Sequence, residues 1–569
     1  MLLPTNVVVA LLLIAGAASS VSSSSLSSLS SQQQKQLPPT CDSKIYCQGN
    51  LLHTVQMAEV FPDSKSFVDM HMKMDPEEIL KDFDVFMDEH KGEPSKDDVK
   101  KFVTDHFDSG NELSEWTPND YNPEPEFLKD INDTDMHKFA KDLVGVWPKL
   151  TRIMKPEVRE HPERYSILPV TEGFIIPGGR FKETYYWDTY WIIKGLLISG
   201  MHETARGMLD NFVTLIKEYG FIPNGFRKYY LKRSQPPLFT PMVKSYIDAT
   251  EDVAWLKDNI QYLDAELQYW VDNKMVSVKK NKMTLKMFNY KPESLGPRPE
   301  SYREDYLTVD HFPESEKQRV YTDLKGGAES GWDYTTRWIF DAEGTPNSNL
   351  SDIHTSRSIP VDLNSFLYRA FSDLSKMYLK THQLDKSKKW LERAIKLKTA
   401  ISLVFWNSDD GIWYDFDNVL GIQRKYFWPS NLAPLWTGAF NTLNKNIGDK
   451  VVDYLEKNKV FQYCGGTPAS LIRSGEQWDF PNAWPPLQAI MVQGLQKSGS
   501  EKAKKKAEEL ATAWLHANIV GFTETGEMFE KYDAEVPGQY GGGGEYTVQS
   551  GFGWTNGVAL EFIKEYYTH

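Results

Sequence analysis

The chain has 569 residues, 40% of them hydrophobic, which is enough to bury a sizeable core. Its formal net charge of −14 at pH 7, with no basic run of useful length, argues against a nucleic-acid partner and describes a solvated acidic surface. Three cysteines are too few for a Cys-ligated metal site, and the twelve histidines show no HExxH or H-x-H grouping.

At the N-terminus, Val7 to Ala18 is an apolar run too short to span a bilayer, and Ala15-Gly16-Ala17 resembles an A-x-A cleavage site. No Lys or Arg precedes the run, which leaves a short buried helix or an uncleaved anchor as alternatives. The expected organisation is a signal peptide over 1–18, a disordered Ser/Gln-rich leader over 19–40 and one domain over 41–569. A secreted, extracellular, monomeric protein is expected, without a membrane anchor, because no second run of 18 or more apolar residues occurs. Cys41 and Cys47 are close enough to close a small loop in an oxidising compartment, and Cys464 then reads as a buried free thiol. Asn132 and Asn349 head glycosylation sequons.

Helical periodicity recurs along the rest of the chain, while alternating strand patterns are scarce. Candidate helices cover 136–154, 188–218, 248–273, 432–442, 449–458, 484–498, 500–518 and 553–566. Leu363, Phe366, Leu367, Ala370, Phe371, Leu374 and Met377 form one apolar stripe. Trp390, Leu391, Ala394, Ile395, Ala400 and Ile401 form the next, with a short connection at Thr381-His382-Gln383. Helix follows helix with little else, so an all-α, α/α architecture is expected.

Between these helices lie dense clusters of Trp, Asp, Glu, Arg and Gly. They are PGGRFKETYYWDTYW (Pro177 to Trp191), RSQPP (Arg233 to Pro237), PRPESYRED (Pro297 to Asp305), ESGWDYTTRW (Glu329 to Trp338), QWDFPNAWPP (Gln477 to Pro486) and FEKYD (Phe529 to Asp533) followed by GGGGEY (Gly541 to Tyr546). Ionisable groups beside large rings suit a pocket that grips a neutral, many-hydroxyl ligand and performs acid/base chemistry on it.

Asp188, Asp333, Asp479 and Glu530 are candidate acids and bases, with Glu183 and Glu300 nearby; for any single one, a helix cap or buried salt bridge is the commoner explanation. Acetal hydrolysis needs two carboxyl groups in opposite protonation states, one to protonate the departing oxygen and one to activate water. Arg180, Arg233 and Arg298 can donate to sugar hydroxyls or hold a carboxylate ionised. Trp187, Trp332, Trp478 and Trp484 are candidates for stacking on a pyranose face. The Gly541 to Gly544 run suits a lid carrying Glu545 and Tyr546, or a plain surface loop, and it lacks the Lys-Ser/Thr ending of a phosphate cradle.

These segments resemble the trehalases of the glycoside hydrolases. PGGRFKETYYWDTYW and QWDFPNAWPP look like that family's two signatures, and IPNGFRKYYLKRSQPP, PRPES, ESGWDYTTRW, EKYD with its glycine run, and FPDSKSFVDM (Phe61 to Met70) are also similar. The resemblance covers roughly residue 45 to the C-terminus and is nearest to soluble animal members of the insect type. It implies an (α/α)6 toroid with an N-terminal helical extension, and hydrolysis of α,α-trehalose with inversion and without metal or other cofactor. It implies Asp333 as general acid and Glu530 as general base. It carries over Arg180, Arg233, Arg298, Asn224, Gln235, Glu300, Phe181, Trp187, Asp188, Trp332, Trp484 and Glu545 to the substrate site. Asp333 is expected to be kept neutral by burial near Trp332, and Glu530 charged by an arginine. Phe226 stands where small residues are usual, which puts the local loop shape in question. A glucoamylase-like or processing α-glucosidase would share the architecture but accept maltose-type linkages, and a binding protein with a dead site would bind without turnover.

Overall fold

The computed structural model describes residues 37–569, apart from residues 111, 445, 545, 546 and 569. The expected signal peptide and most of the leader fall outside the described residues, as do Glu545 and Tyr546.

Twelve helices build the framework. The first outer helix is α1 (Thr134–Val144), followed by the pair α2 (Asp188–Ile198) and α3 (His202–Tyr219) and the pair α4 (Phe239–Thr250) and α5 (Val253–Asn273). Next come α6 (Val361–Lys380) with α7 (Leu384–Val404), and α8 (Ala433–Thr437) with α9 (Ile447–Lys457). The last are α10 (Pro485–Lys497), α11 (Glu501–Thr525) and α12 (Gly553–Tyr567). Helices α2, α4, α6, α8, α10 and α12 each pack on the next, and α12 returns to α2, so they close a ring. The other six lie outside it, with α1 backing α12. This is the (α/α)6 toroid.

The two layers differ in composition for a physical reason. An inner helix is enclosed by neighbours, so α2 is buried from Asp188 to Ile193 without a polar face. An outer helix buries one stripe. On α7 that stripe is Trp390, Ala394, Leu397, Ile401 and Val404, whereas Leu391 and Ile395, assigned to it from the sequence, are exposed. The ring closes tightly where α2 crosses α12: a Cβ on Gly557 would lie 2.0 Å from the Trp191 carbonyl oxygen.

Several helix boundaries differ from expectation. The 188–218 segment is two helices, broken where Gly200 takes φ +74°. The 248–273 segment starts earlier, at Phe239, and breaks at Glu251, which adopts φ +55°. Residues 151–154 leave the helical state to form the middle strand of a three-stranded sheet with Leu113–Glu115 and Phe174–Ile175.

Before the toroid, helices Asn50–Met57, Pro76–Glu89 and Lys96–His106 form an extension with its own core of Leu51, Leu52, Phe67, Phe83 and Phe102, seated on Tyr185, Tyr229 and Tyr230. Cys41 and Cys47 form a disulfide there. Cys464 is exposed rather than buried. Both Asn132 and Asn349 are exposed in loops. Among the described residues no helix is long and apolar enough to cross a membrane.

Candidate active site

The segments leading into the inner helices carry the aromatic and charged clusters, and they converge on one pocket. Trp187 and Asp188 sit at the start of α2, Gln235 lies just ahead of α4, Trp484 caps α10, and Trp554 is in the first turn of α12. Asp333 and Glu530, far apart in the chain, both line this pocket with Asp188. So do Arg180, Phe181, Trp187, Asn224, Arg233, Gln235, Arg298, Glu300 and Trp484.

Among the described residues Trp332 is the exception to the expected binding set. It lies behind the pocket wall, stacked on Trp478 with ring centroids 5.2 Å apart, and the Arg337 guanidinium covers its ring at 4.7 Å. Arg337 is itself fully buried, bound to Asp362 and Asp415. The pocket wall is therefore a layered block: Trp478 and Trp484 stack at 3.8 Å with their planes 1° apart, and Trp554 meets the edges of Trp187, Trp478 and Trp484. Such a wall offers flat apolar faces of the kind a pyranose ring packs on.

The polar groups are fixed by partners outside the chemistry. Arg233 donates through Nε to Asn224 Oδ1 at 2.9 Å and pairs with Glu300, Arg298 grips Asp305 through Nε and Nη2, and Arg180 pairs with Asp63 at 3.2 Å. Gln235 Oε1 accepts from the Trp187 backbone N–H at 3.1 Å. These contacts fix the side chains before ligand arrives, which limits the ordering cost of binding.

Asp479 proves to be structural. It is fully buried outside the pocket lining and accepts from Thr335 Oγ1, Thr336 N, Thr336 Oγ1 and Ser474 Oγ, at 2.6 to 3.0 Å. With the Gln477 side-chain amide on the Asp333 carbonyl and Trp478 N on Tyr334 O at 3.0 Å, it ties the Asp333 loop down by its main chain. Glu183 is likewise structural, held by Lys65 and Arg227.

Glu530 is buried. Its Oε2 accepts from Gln549 N at 3.1 Å, and its backbone is fixed by Gln549 O and by the Trp554 indole. Burial, and next the nearby Glu530 and Asp333, push Asp188 well above the usual carboxylate range. Burial pulls Lys531 down to about 8, against the upward effect of the nearby Glu530 and Asp333. Among the described residues no group of three or more His, Cys, Asp or Glu is arranged to hold a metal ion.

Lys531 was not among the residues singled out from sequence, nor were the pocket residues Asp63, Tyr230, Phe552 and Trp554. GFGWTNG, around Trp554, carries the same mixture of glycine and tryptophan as the other clusters and was the available signal. Phe226, by contrast, does not line the pocket. Its ring packs in the core against Phe174 and Phe212, and its backbone bonds to Thr184 and Leu168 keep the Asn224 turn in place.

The glycine run is closely packed except at Gly542. A Cβ on Gly543 would lie 2.3 Å from the Gly475 carbonyl oxygen, and one on Gly544 would lie 2.4 Å from Gln477 Cβ. Both glycines have positive φ, so the run needs glycine for backbone conformation and for close approach.

A family model described as Trehalase matches residues 59–567. The chain is 52% identical over 535 residues to a trehalase of Tenebrio molitor, covering 94% of this chain and 96% of the relative. A trehalase of Bombyx mori is 46% identical, with 93% and 92% covered, and one of Homo sapiens 44%, with 93% and 90% covered. Among solved structures, neutral trehalase Nth1 from Saccharomyces cerevisiae aligns with 26% identity and a TM-score of 0.54, over 69% of this chain and 73% of that one.

Proposed function

The chain belongs to the trehalase family of glycoside hydrolases, which hydrolyse α,α-trehalose, and on that premise we propose that it acts with inversion, Asp333 serving as general acid and Glu530 as general base. The observation that carries the reading is the convergence of these two carboxyl groups on one aromatic-walled pocket.

The Asp333 carboxyl group protonates the glycosidic oxygen as the bond from that oxygen to the anomeric carbon breaks. On the opposite face, Glu530 takes a proton from water as the water oxygen bonds to that carbon. The attacked sugar leaves as β-glucose and the other as α-glucose. Asp333 then regains a proton from solvent and Glu530 releases one. Burial pushes the Asp188 carboxyl well above the usual carboxylate range, and in its protonated form it presents both a donor and an acceptor to a sugar hydroxyl, which suits an uncharged ligand. Lys531 lies close enough to the pair to respond to the charge of both carboxyl groups.

Activity requires Glu530 ionised and Asp333 protonated. The rate therefore rises with pH as Glu530 loses its proton and falls at higher pH as Asp333 loses its own. A bell-shaped kcat/KM profile is expected, and Glu530→Gln is expected to lose the acidic limb. A flat profile for the parent enzyme, or an unchanged acidic limb in that variant, counts against the pair.

A further inference from the structure

Lys531 has no part in the acid/base cycle just described, yet it is fully buried beside it. Placing an ammonium group in such a site is costly unless its charge and donors are matched. Here they are. Nζ donates to the carbonyls of Gly542 at 3.0 Å and Gly543 at 3.4 Å, and it lies 5.1 Å from the centroid of the Trp484 ring.

The contacts continue in both directions. Gly541 N donates to Lys531 O at 3.3 Å and Gly542 N to Asn482 Oδ1 at 2.8 Å, so the glycine run is tied down on both sides. Gly543 and Gly544 press on Gly475 and Gln477. Gln477 in turn holds the Asp333 carbonyl, and its own carbonyl accepts from Trp484 Nε1 at 2.8 Å. An unbroken series of contacts thus runs from the residue after Glu530, through the glycine run, to the backbone of Asp333.

We propose that Lys531 is a positioning residue that fastens the glycine run against the tryptophan wall and thereby sets the placement of Glu530 relative to Asp333. The run is the buckle between the base-bearing and acid-bearing segments, and the lysine is its pin. The lysine head is suited to this because one compact ammonium serves two carbonyls and a ring face together. The proposal rests on Asp333 and Glu530 being the catalytic pair.

The test compares Lys531→Met, which keeps the stem and removes charge and donors, with Lys531→Arg, which keeps both in another shape. For Lys531→Met, kcat on trehalose is expected to fall about 10- to 100-fold, as a displacement of around 1 Å does. KM and the thermal midpoint stay near those of the parent, and Lys531→Arg recovers part of the lost kcat. A kcat for Lys531→Met within about threefold of the parent, or a loss that Lys531→Arg does not reduce, overturns the proposal. Should the Met variant not fold, Lys531→Gln takes its place with the same thresholds. Failure of the catalytic assignment itself would show separately, as retained activity in Asp333→Asn and Glu530→Gln.

Discussion

Asp333→Asn is expected to lower kcat on trehalose by on the order of 10²–10⁴ while leaving the thermal midpoint unchanged. The substitution is isosteric and removes only the transferable proton. It spares the fold because the loop is fastened through its main chain: Gln477 holds the Asp333 carbonyl, Trp478 the Tyr334 carbonyl, and Asp479 both threonines that follow. Steady-state kinetics beside a thermal melt check this. A near-normal rate in a folded Asp333→Asn enzyme removes Asp333 from the role of general acid.

Replacing Glu530 is expected to cost a similar factor, again on the order of 10²–10⁴. The Glu530 backbone is anchored to Gln549 and to the Trp554 indole, so Glu530→Ala keeps the segment in place while vacating the position of the base. Azide needs no proton removed as it attacks. In Glu530→Ala it is expected to restore turnover by forming the C–N bond at the anomeric carbon as the glycosidic bond breaks, with Asp333 still protonating the leaving oxygen. The product is β-glucosyl azide with one α-glucose. The absence of any such adduct at saturating azide, with activity equally low in its presence and absence, argues against Glu530 as the base.

The outer layer of the toroid is legible in the sequence because an amphipathic helix writes its buried face at i, i+3, i+4 spacing, as the Trp390 stripe does. In the inner layer Pro485–Lys497 and Gly553–Tyr567 lie almost where expected, whereas the end of α2 is not legible, since α2 is buried and its apolar run continues towards α3 with only Gly200 to mark the break. The short extension helices leave little signal for the opposite reason: Lys96–His106 buries only Val99, Phe102 and Val103 against a mostly polar surface.

In the site, residue chemistry located the carboxyl groups and arginines but could not separate lining from support. Trp332 and Asp479 lie in clusters as dense as those of Trp187 and Asp188, and only the fold turns them outward into structural contacts. Lys531 is not legible as a site residue because a lysine in a polar segment reads as a solvated charge. Its burial depends on the glycine run eleven positions on, with Gly542 accepting from its ammonium group. Arg180, Arg233 and Arg298 line the pocket and pair there with Asp63, Glu300 and Asp305.

The central claim is inversion by Asp333 and Glu530, and proton NMR of the enzyme with α,α-trehalose, read in the first minutes before mutarotation, tests it most directly. Equal early appearance of α- and β-glucose is the predicted result, one anomer from each half of the disaccharide. Early release of α-glucose alone would mean retention, and with it a nucleophile in place of the base assigned here.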